Sequence, residues 1–290
     1  MFDGFSHERI KTKETTINVV HGGSGPAVLL LHGYPQTHVC WHLVAPRLAE
    51  RFTVVCPDLR GYGDSDKPLS DPSHYAYSKR AMARDQVEVM QALGYDDFAV
   101  VGHDRGGRVG HRMALDFPNR VSGLALLDIV PTATALASID SRLAMADYHW
   151  FLLAQPDELP ERLIGAGPDF YLRWMLDHWC GTAGALAAEA VAEYGRCFDS
   201  SMIHATCEDY RAAATIDLEH DDADGDRKIA CPLLLLWSAT GTGAFFDVLE
   251  TWREKVSADL RGRPMDCGHF LAEELPDQIS DELVTFLQTL

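Results

Sequence analysis

Short apolar runs alternate with longer segments of helical periodicity along most of the chain. The apolar runs predict strands at 15–20, 27–32, 52–57, 98–103, 121–130 and 231–237, and a shorter strand near 258–265. Segments with helical periodicity predict helices near 41–50, 78–93, 106–117, 245–257 and 276–289. Apolar strands that alternate with helices are typical of a mostly parallel sheet covered by helices on both faces.

This alternation stops between Thr132 and about Thr215, where the chain has helical periodicity, three tryptophans and no convincing strand. The sheet pattern resumes at Cys231. We therefore expect an α/β core domain in two parts, residues 1–133 and 215–290, and an inserted helical cap of residues 134–214. Because ligands of open α/β sheets bind at the carboxyl ends of the strands, the cap would cover that crevice.

Composition and charge narrow the range of partners. The 290 residues carry a formal net charge of −18, so we expect neither a nucleic acid nor an anionic membrane as partner. An anionic small substrate would face the same field and would need a local cationic clamp. The seven scattered cysteines suit reduced thiols, and no apolar stretch has the length of a signal peptide or a membrane span. We therefore predict a cytoplasmic location.

The stretch "VVGHDRGGRVG", residues 100–110, has the pattern of the strand-turn-helix elbow that presents a serine in many hydrolases, G-x-S-x-G. Its central residue is Asp104, for which a surface helix cap is the alternative interpretation. A carboxylate that displaces a leaving group from a saturated carbon forms an alkyl ester, which water can hydrolyse, whereas a serine would form a stable ether. Asp104 therefore favours an alkyl halide or an epoxide as substrate.

Two arginines lie in the first turn of the helix that follows the elbow. The helix dipole disfavours Arg105 and Arg108 at this end, so we expect an anion to compensate them. That anion could be Asp104, another structural acid, or a substrate carboxylate that both guanidinium groups bind. We favour the substrate clamp for this pair and a structural role for Arg112, one turn further along.

A nucleophilic aspartate needs a base that activates water and an acid that orients the base. The segment "MDCGHFLAEELP" places His269 after the last predicted strand, where hydrolases of this architecture carry the histidine. Two residues compete for the acid. Asp128 ends a predicted strand directly after the elbow unit, whereas we expect Asp247 to lie inside a later helix, so we favour Asp128.

The loop "LHGYPQTHVCW", residues 31–41, follows an apolar strand and contains the HG pair that supplies a backbone donor in such folds. We expect the backbone N–H groups of Tyr34 and Arg105 to form an oxyanion hole, which would stabilise ester hydrolysis. The side chain of Tyr34 would then help to line the pocket.

Several longer stretches extend these motifs. They are "LHGYPQTHVCWHLVAPRLAERF", "DLRGYGDSDKP", "YSKRAMA", "GHDRGGRVGHRMALD", "LALLDIVPT", "YHWFLLAQPDELPERLIG", "CEDYRA" and "CGHFLAEELPDQ". In this combination the sequence resembles the fluoroacetate and haloacetate dehalogenases of the α/β-hydrolase superfamily, over most of the chain from about residue 31 onward.

The resemblance implies an α/β-hydrolase fold and a role for each residue that matches a motif. Asp104 would be the nucleophile, His269 the base, Asp128 its orienting acid, and Arg105 with Arg108 the binding site of the haloacid carboxylate. The cap would supply His149, Trp150 and Tyr210 as donors to the departing halide, and Trp179 would line the pocket. The "YHW" segment alone would indicate only helix packing. The resemblance further implies hydrolysis of short 2-haloacids without a metal or other cofactor, in a possible homodimer.

Two other functions remain open from the sequence alone. An epoxide hydrolase would use the same Asp-His-Asp residues with cap tyrosines as proton donors, although an uncharged epoxide has no use for Arg105. A non-catalytic ligand receptor could also retain the fold. The histidines of "HVCWH" lack a third metal ligand, the acidic run 219–226 is expected to be a solvated loop, and "GTGAFF" lacks the third glycine of a dinucleotide site. The loop "SATGTGAFFD" departs from the family pattern by its short length.

Overall fold

Eight strands form a single sheet in the computed structural model, which describes residues 1–290. The sheet order is β1-β2-β4-β3-β5-β6-β7-β8, antiparallel from β1 to β4 and parallel from there on. The strands are β1 Ser6–Lys11, β2 Thr16–Gly23, β3 Ala27–Leu31, β4 Thr53–Pro57, β5 Phe98–His103, β6 Val121–Leu127, β7 Leu233–Ser238 and β8 Leu260–Met265. The central strands β3, β5 and β7 are buried at every residue, which explains why they appear in the sequence as continuous apolar runs.

All seven predicted strands are present, but the sequence did not reveal the eighth. Strand β1 has the sequence "SHERIK", pairs only with β2 and is mostly exposed, so it carries charges in place of an apolar pattern. The predicted strand 121–130 ends earlier, at Leu127, because Asp128 adopts a left-handed backbone conformation with φ 54°.

Fourteen α-helices surround the sheet. Those of the two core segments are α1 Ala45–Leu48, α2 Lys79–Ala92, α3 Asp104–Asp116, α12 Val248–Arg253, α13 Leu271–Glu274 and α14 Pro276–Leu287. Those between β6 and β7 are α4 Thr132–Ala137, α5 Ser141–Ala146, α6 Tyr148–Leu153, α7 Leu159–Gly165, α8 Pro168–Trp179, α9 Ala188–Cys197, α10 Ser200–Ala214 and α11 Ile216–Asp224. We refer to α4–α11 as the helical insertion, and it contains no strand.

Three local predictions need correction. The predicted helix 41–50 is a 3-10 turn, His38–Trp41, followed by the single turn of α1, in which a proline lies at the helix start. The predicted helix 245–257 is confined to α12. The acidic run 219–226 is mainly helical, as the last part of α11, because Asp221 and Asp224 form ion pairs with Arg112 of α3. Those ion pairs give Arg112 the structural role expected of it.

The helical insertion packs against the sheet rather than standing apart from it. Buried side chains of the insertion, such as Leu153, Leu172 and Met175, belong to the same apolar cluster as the central strands. A cavity of about 270 Å³ remains between the insertion and the carboxyl ends of β5, β6 and β7. None of the helices combines the length and the apolarity that crossing a lipid bilayer requires.

Candidate active site

The elbow between β5 and α3 holds Asp104 in a strained backbone conformation. Asp104 is buried and has φ 45°, in the left-handed region that residues with a side chain adopt only rarely. The glycines on either side make this packing possible. A Cβ atom at Gly102 would lie 2.5 Å from the carbonyl oxygen of Gly106, and one at Gly106 would collide with the carbonyl oxygen of His32.

The carboxylate of Asp104 has one oxygen fixed and one free. The backbone N–H of Tyr34 donates to Oδ2 over 2.9 Å, whereas Oδ1 accepts no hydrogen bond from the protein. Burial acts to raise the pKa of Asp104, but the positive groups of His269 and Arg105 outweigh burial and lower the pKa below its usual value. Asp104 is therefore ionised at neutral pH, with Oδ1 available for reaction.

His269 forms a pair with Asp128, the residue that directly follows β6. Its Nδ1 lies 2.7 Å from Asp128 Oδ2, and the other carboxylate oxygen of Asp128 accepts the N–H of Ser238 over 2.9 Å. Burial acts to lower the pKa of His269, but the hydrogen bond and the charge of Asp128 raise it overall. Asp247, the competing acid, instead caps α12 by accepting the N–H of Glu250. The structure thus brings Asp104, His269 and Asp128 together.

Arg105 is buried within an ion-pair network beneath the cavity. Its Nε and Nη2 donate to the carboxylate of Asp209 on α10, over 2.9 and 2.6 Å. Asp209 also pairs with Lys79 and accepts the hydroxyl hydrogen of Tyr62 over 2.7 Å. Burial acts to lower the pKa of Arg105, but Asp209 raises it well above its usual value. One nitrogen, Nη1, is buried without a hydrogen-bond partner, so Arg105 retains one free donor group.

Arg108 lies one turn further along α3 and has no carboxylate partner. Its Nη1 donates to the carbonyl oxygen of Val130 and to the hydroxyl of Thr132, over 3.0 and 2.8 Å, and the guanidinium lies 4.5 Å from the ring centre of Trp150. Burial and the charge of Arg105 lower the pKa of Arg108 to about 10. Its Nε is buried without a partner. Arg108 is thus a charged group that lacks an anion.

The helical insertion contributes uncharged polar groups opposite Asp104. Burial lowers the pKa of His149 to about 3 and raises the pKa of Tyr210 well above 10, so both side chains are neutral. His149 Nδ1 and the Tyr210 hydroxyl are buried without a hydrogen-bond partner. The two rings lie 5.6 Å apart, and the ring of Tyr34 lies 5.5 Å from that of Tyr210.

The cavity is lined by some of the predicted site residues and not by others. Its walls include Asp104, Arg108, Asp128, His149, Trp150, Trp179 and His269. Arg105, Tyr34 and Tyr210 do not line it; all three are fully buried next to it, and Arg105 lies 4.2 Å from the ring centre of Tyr210. The predicted residues therefore form one continuous group, with the cavity on one side of Asp104 and a tightly packed polar cluster on the other.

Three acidic residues of this region were missed by the sequence analysis. Asp147 lines the cavity at the start of α6 without capping that helix. Asp209 anchors Arg105, and Glu274 holds the loop around His269. The segments "CEDYRA" and "GHFLAEELP" contain the last two residues, but only the tertiary contacts distinguish them from surface acids. The histidines of "HVCWH" bind other groups, since His38 pairs with Asp58 and His42 faces the carbonyl oxygen of Val39.

Comparisons with known proteins agree with this architecture. The sequence profile of the alpha/beta hydrolase fold family matches residues 26–276. A fluoroacetate dehalogenase of Burkholderia sp. is 46% identical over 99% of this chain and 95% of its own length. A soluble epoxide hydrolase of Corynebacterium sp. (strain C12) is 32% identical over 98% of both chains. The crystal structure of a Nostoc sp. PCC 7120 protein, provisionally assigned as an alpha/beta hydrolase, is 57% identical over 99% of both chains and superposes with a TM-score of 0.98.

Proposed function

The chain belongs to the haloacetate dehalogenase family of the α/β-hydrolase superfamily, and from this membership we propose that it converts haloacetate, including fluoroacetate, to glycolate and halide through an ester on Asp104. One observation carries the proposal. Asp104 is an ionised carboxylate at a nucleophile elbow, with one free oxygen, and it lies beside the His269–Asp128 pair and two arginines with unpartnered donors. An arginine pair suits a substrate with its own carboxylate.

In the first step, Asp104 Oδ1 attacks the halogen-bearing carbon. A carbon–oxygen bond forms, the carbon–halogen bond breaks, and the halide leaves with the electron pair on the opposite side. The substrate carboxylate binds the free Nε of Arg108, which lines the cavity, and the free Nη1 of Arg105, which is buried next to the cavity; this orients the carbon for attack. The oxygen that attacks is Oδ1 because Tyr34 already occupies Oδ2.

The departing halide is received by the neutral donors of the helical insertion, His149, Trp150 and Tyr210. Hydrogen bonds to a developing anion are strong in a site from which water is excluded. Fluoride is the halide with the most concentrated charge, so it depends most on these donors. Two of the three groups, His149 and Tyr210, have buried polar atoms without a hydrogen-bond partner in the protein, so these atoms are available to bind the halide.

In the second step, water attacks the ester carbonyl carbon of Asp104. His269 takes a proton from this water, and Asp128 holds the resulting imidazolium in place. Negative charge accumulates on Oδ2, where the Tyr34 N–H already donates, and we propose the N–H of Arg105 as the second donor of this oxyanion hole. The intermediate then expels glycolate, which recovers its hydroxyl hydrogen from His269, and the carboxylate of Asp104 is restored with net release of one proton.

The test is halide release from fluoroacetate and from chloroacetate, measured in parallel. We expect the parent protein to release both ions and Asp104→Asn to release neither. His269→Asn should release halide once and then retain the ester, visible as a mass increase on the peptide that contains Asp104. Absence of that adduct with a substrate that the parent protein converts would contradict the two-step scheme.

Two other functions make different predictions in the same assay. Two observations support an epoxide hydrolase as the alternative: the similarity to the Corynebacterium enzyme, and the free hydroxyl of Tyr210, which could protonate an alkoxide. It would form diols from epoxides and release no halide from haloacetate. A non-catalytic receptor would bind small ligands without forming any product. The arginine pair argues against the first, and the arrangement of Asp104, His269 and Asp128 argues against the second.

We also propose that residues 134–214 form a cap domain over a core of residues 1–133 and 215–290, and that the cap mediates a homodimer. Large apolar side chains exposed on this segment are Ile139, Met145, Phe151, Leu159, Leu163 and Phe170. Exposed apolar groups of this kind often mark an interface between copies. Light scattering should give a dimer mass for the parent protein and a monomer mass for Phe170→Glu; a monomeric parent would contradict the proposal.

A cytoplasmic location remains our proposal for this enzyme. All seven cysteines are free thiols in the structure, six of them buried in the apolar core and none paired in a disulfide, which suits a reducing compartment. Cell fractionation would test it, and enzyme recovered outside the cytoplasmic fraction would contradict it.

A further inference from the structure

One carboxylate, that of Glu274 at the end of α13, binds the backbone of the loop that carries His269. Glu274 Oε2 accepts the backbone N–H of Gly268 over 2.9 Å, and Oε1 accepts that of Phe270 over 3.0 Å. The residues directly before and after His269 are therefore bound by the same side chain. Glu274 is buried and forms no ion pair, so these backbone groups are its partners in place of a cation.

The same carboxylate reaches the helical insertion. Glu274 Oε2 also accepts the backbone N–H of Gly181, which follows α8, over 2.9 Å. Next to it, the backbone N–H of His269 donates to the carbonyl oxygen of Trp179 over 2.8 Å. We refer to this contact between residues 179–181 and residues 268–270 as the seam.

The two chain segments of the seam approach each other so closely that only glycine fits at positions 181 and 268. A Cβ atom at Gly181 would lie 2.5 Å from the backbone nitrogen of Gly268, and a Cβ atom at Gly268 would collide with the backbone at Gly181 and Trp179. His269 is fixed from the core side as well, because His103 Nε2 donates to its carbonyl oxygen over 2.7 Å. The backbone of His269 thus depends on contacts from both the core and the insertion.

We propose that Glu274 is a positioning residue for the second step of the reaction. Glu274 binds the His269 loop to the helical insertion and thereby keeps His269 in place to activate water. This inference rests on the proposed function. Its effect is confined to ester hydrolysis, because Asp104 is held by the elbow and by Tyr34, neither of which contacts Glu274. Displacing a general base by a fraction of an ångström slows its step strongly, whereas attack by Asp104 does not use that base.

The experiment separates the two steps in Glu274→Gln. The variant keeps the size of the side chain but offers an N–H₂ group to one set of backbone N–H donors, which breaks part of the seam. With chloroacetate, we expect the first turnover to release chloride within about twofold of the parent rate. Hydrolysis should slow by about tenfold or more, so that the mass adduct on the Asp104 peptide accumulates during turnover.

Two further variants keep this test decisive. Glu273→Gln is the matched control. The carboxyl group of Glu273, the neighbour of Glu274, binds Gln36 and Tyr194 and does not contact the seam, so no adduct should accumulate in this variant. Gly181→Ala disturbs the seam from the insertion side and should reproduce the adduct even if Glu274→Gln does not fold. Deuterium exchange of the amides in residues 267–270 should accelerate in both seam variants.

The possible results distinguish failure of this inference from failure of the proposed function. Chloride release by Glu274→Gln and Gly181→Ala without an accumulated ester, or equal slowing of both steps, would overturn the positioning role. If the parent protein releases no chloride and His269→Asn traps no ester, the proposed function itself is wrong.

Discussion

The two walls of the cleft differ in charge. The core wall, formed by the ends of β5 and β6 and by α3, carries full charges: Asp104 and Arg108, which line the cavity, and Arg105, which is buried next to it, are all ionised. The insertion side offers His149 at the cavity wall and Tyr210 buried next to the cavity, and burial keeps both side chains neutral. Fixed positive charge suits a carboxylate that is present throughout the reaction. Neutral donors suit a halide whose charge appears only as the bond breaks, because they do not retain the product ion as strongly.

Among substitutions on the two walls, replacement of Arg108 should reduce activity most. Arg105 is already neutralised by Asp209, whereas Arg108 has no carboxylate partner, so Arg108 supplies most of the uncompensated charge for the substrate. We expect Arg108→Gln to lower kcat/KM for chloroacetate by about a hundredfold or more, mainly through KM, because removing one partner of a buried, hydrogen-bonded charge pair costs about 2–5 kcal/mol.

The control for this prediction lies on the same helix. Arg112 is buried in ion pairs with Asp221 and Asp224 away from the cavity, so Arg112→Gln should leave kcat/KM within about twofold. Equal losses in Arg108→Gln and Arg112→Gln would show that the helix, and not the charge in the cleft, is what matters.

The same two arginines show how far the sequence could lead. The elbow, the order of the strands along the chain and the charge at the start of α3 follow from local patterns, because each depends on neighbouring residues. Asp209, which decides what Arg105 can do, lies 104 residues further along the chain. Its contact depends on how the insertion packs, and so do the contacts of Glu274 with Gly181 and the placement of Asp147 in the cavity. Nothing in the local spacing of these acids distinguishes them from solvated ones.

The insertion wall should discriminate between halides. Tyr210→Phe removes a buried hydroxyl and leaves the ring in place. We expect fluoride release to fall by about 10- to 100-fold and chloride release by less than about tenfold, because one hydrogen bond to a charged group contributes about 1.5–3 kcal/mol and fluoride needs it most. Tyr148→Phe, which loses only a contact to the sulfur of Met175, should change neither rate appreciably. Equal losses for both halides would exclude a specific role of Tyr210 in accepting fluoride.

A smaller effect is expected where the two walls meet at Asp147. Burial raises the pKa of Asp147 to about 6, with Arg108 and His269 opposing the shift and Asp104 and Asp128 adding to it. The side chain is therefore mostly neutral below pH 6 and anionic above it, where it repels a haloacid carboxylate near Arg108. We expect KM for chloroacetate to rise as pH increases through 6.

Substitution isolates this contribution from the titration of His269. Asp147→Asn should lower KM by about three- to tenfold at pH 8 and have little effect at pH 5, with kcat nearly unchanged, as expected for one partly screened charge. The ratio of kcat/KM between variant and parent, followed from pH 5 to 8, is the measurement. A ratio that does not change with pH would rule out ionisation of Asp147 as the cause.

The smallest effect concerns the stability of the contact between the walls. Glu273 accepts hydrogen bonds from Gln36 of the core and Tyr194 of the insertion, and its other oxygen is buried without a partner. Burial raises the pKa of Glu273 to about 8, far above that of a glutamate in the unfolded chain. Between about pH 4.5 and 8 the folded state therefore binds one proton that the unfolded state releases, so this residue lowers stability as pH rises.

Relative to the parent, Glu273→Gln should gain at least about 1 kcal/mol in free energy of unfolding between pH 5 and pH 8, measured by urea denaturation. Parallel pH profiles would mean that Glu273 ionises in the folded protein as readily as in the unfolded chain, and that the two walls meet through a charged contact.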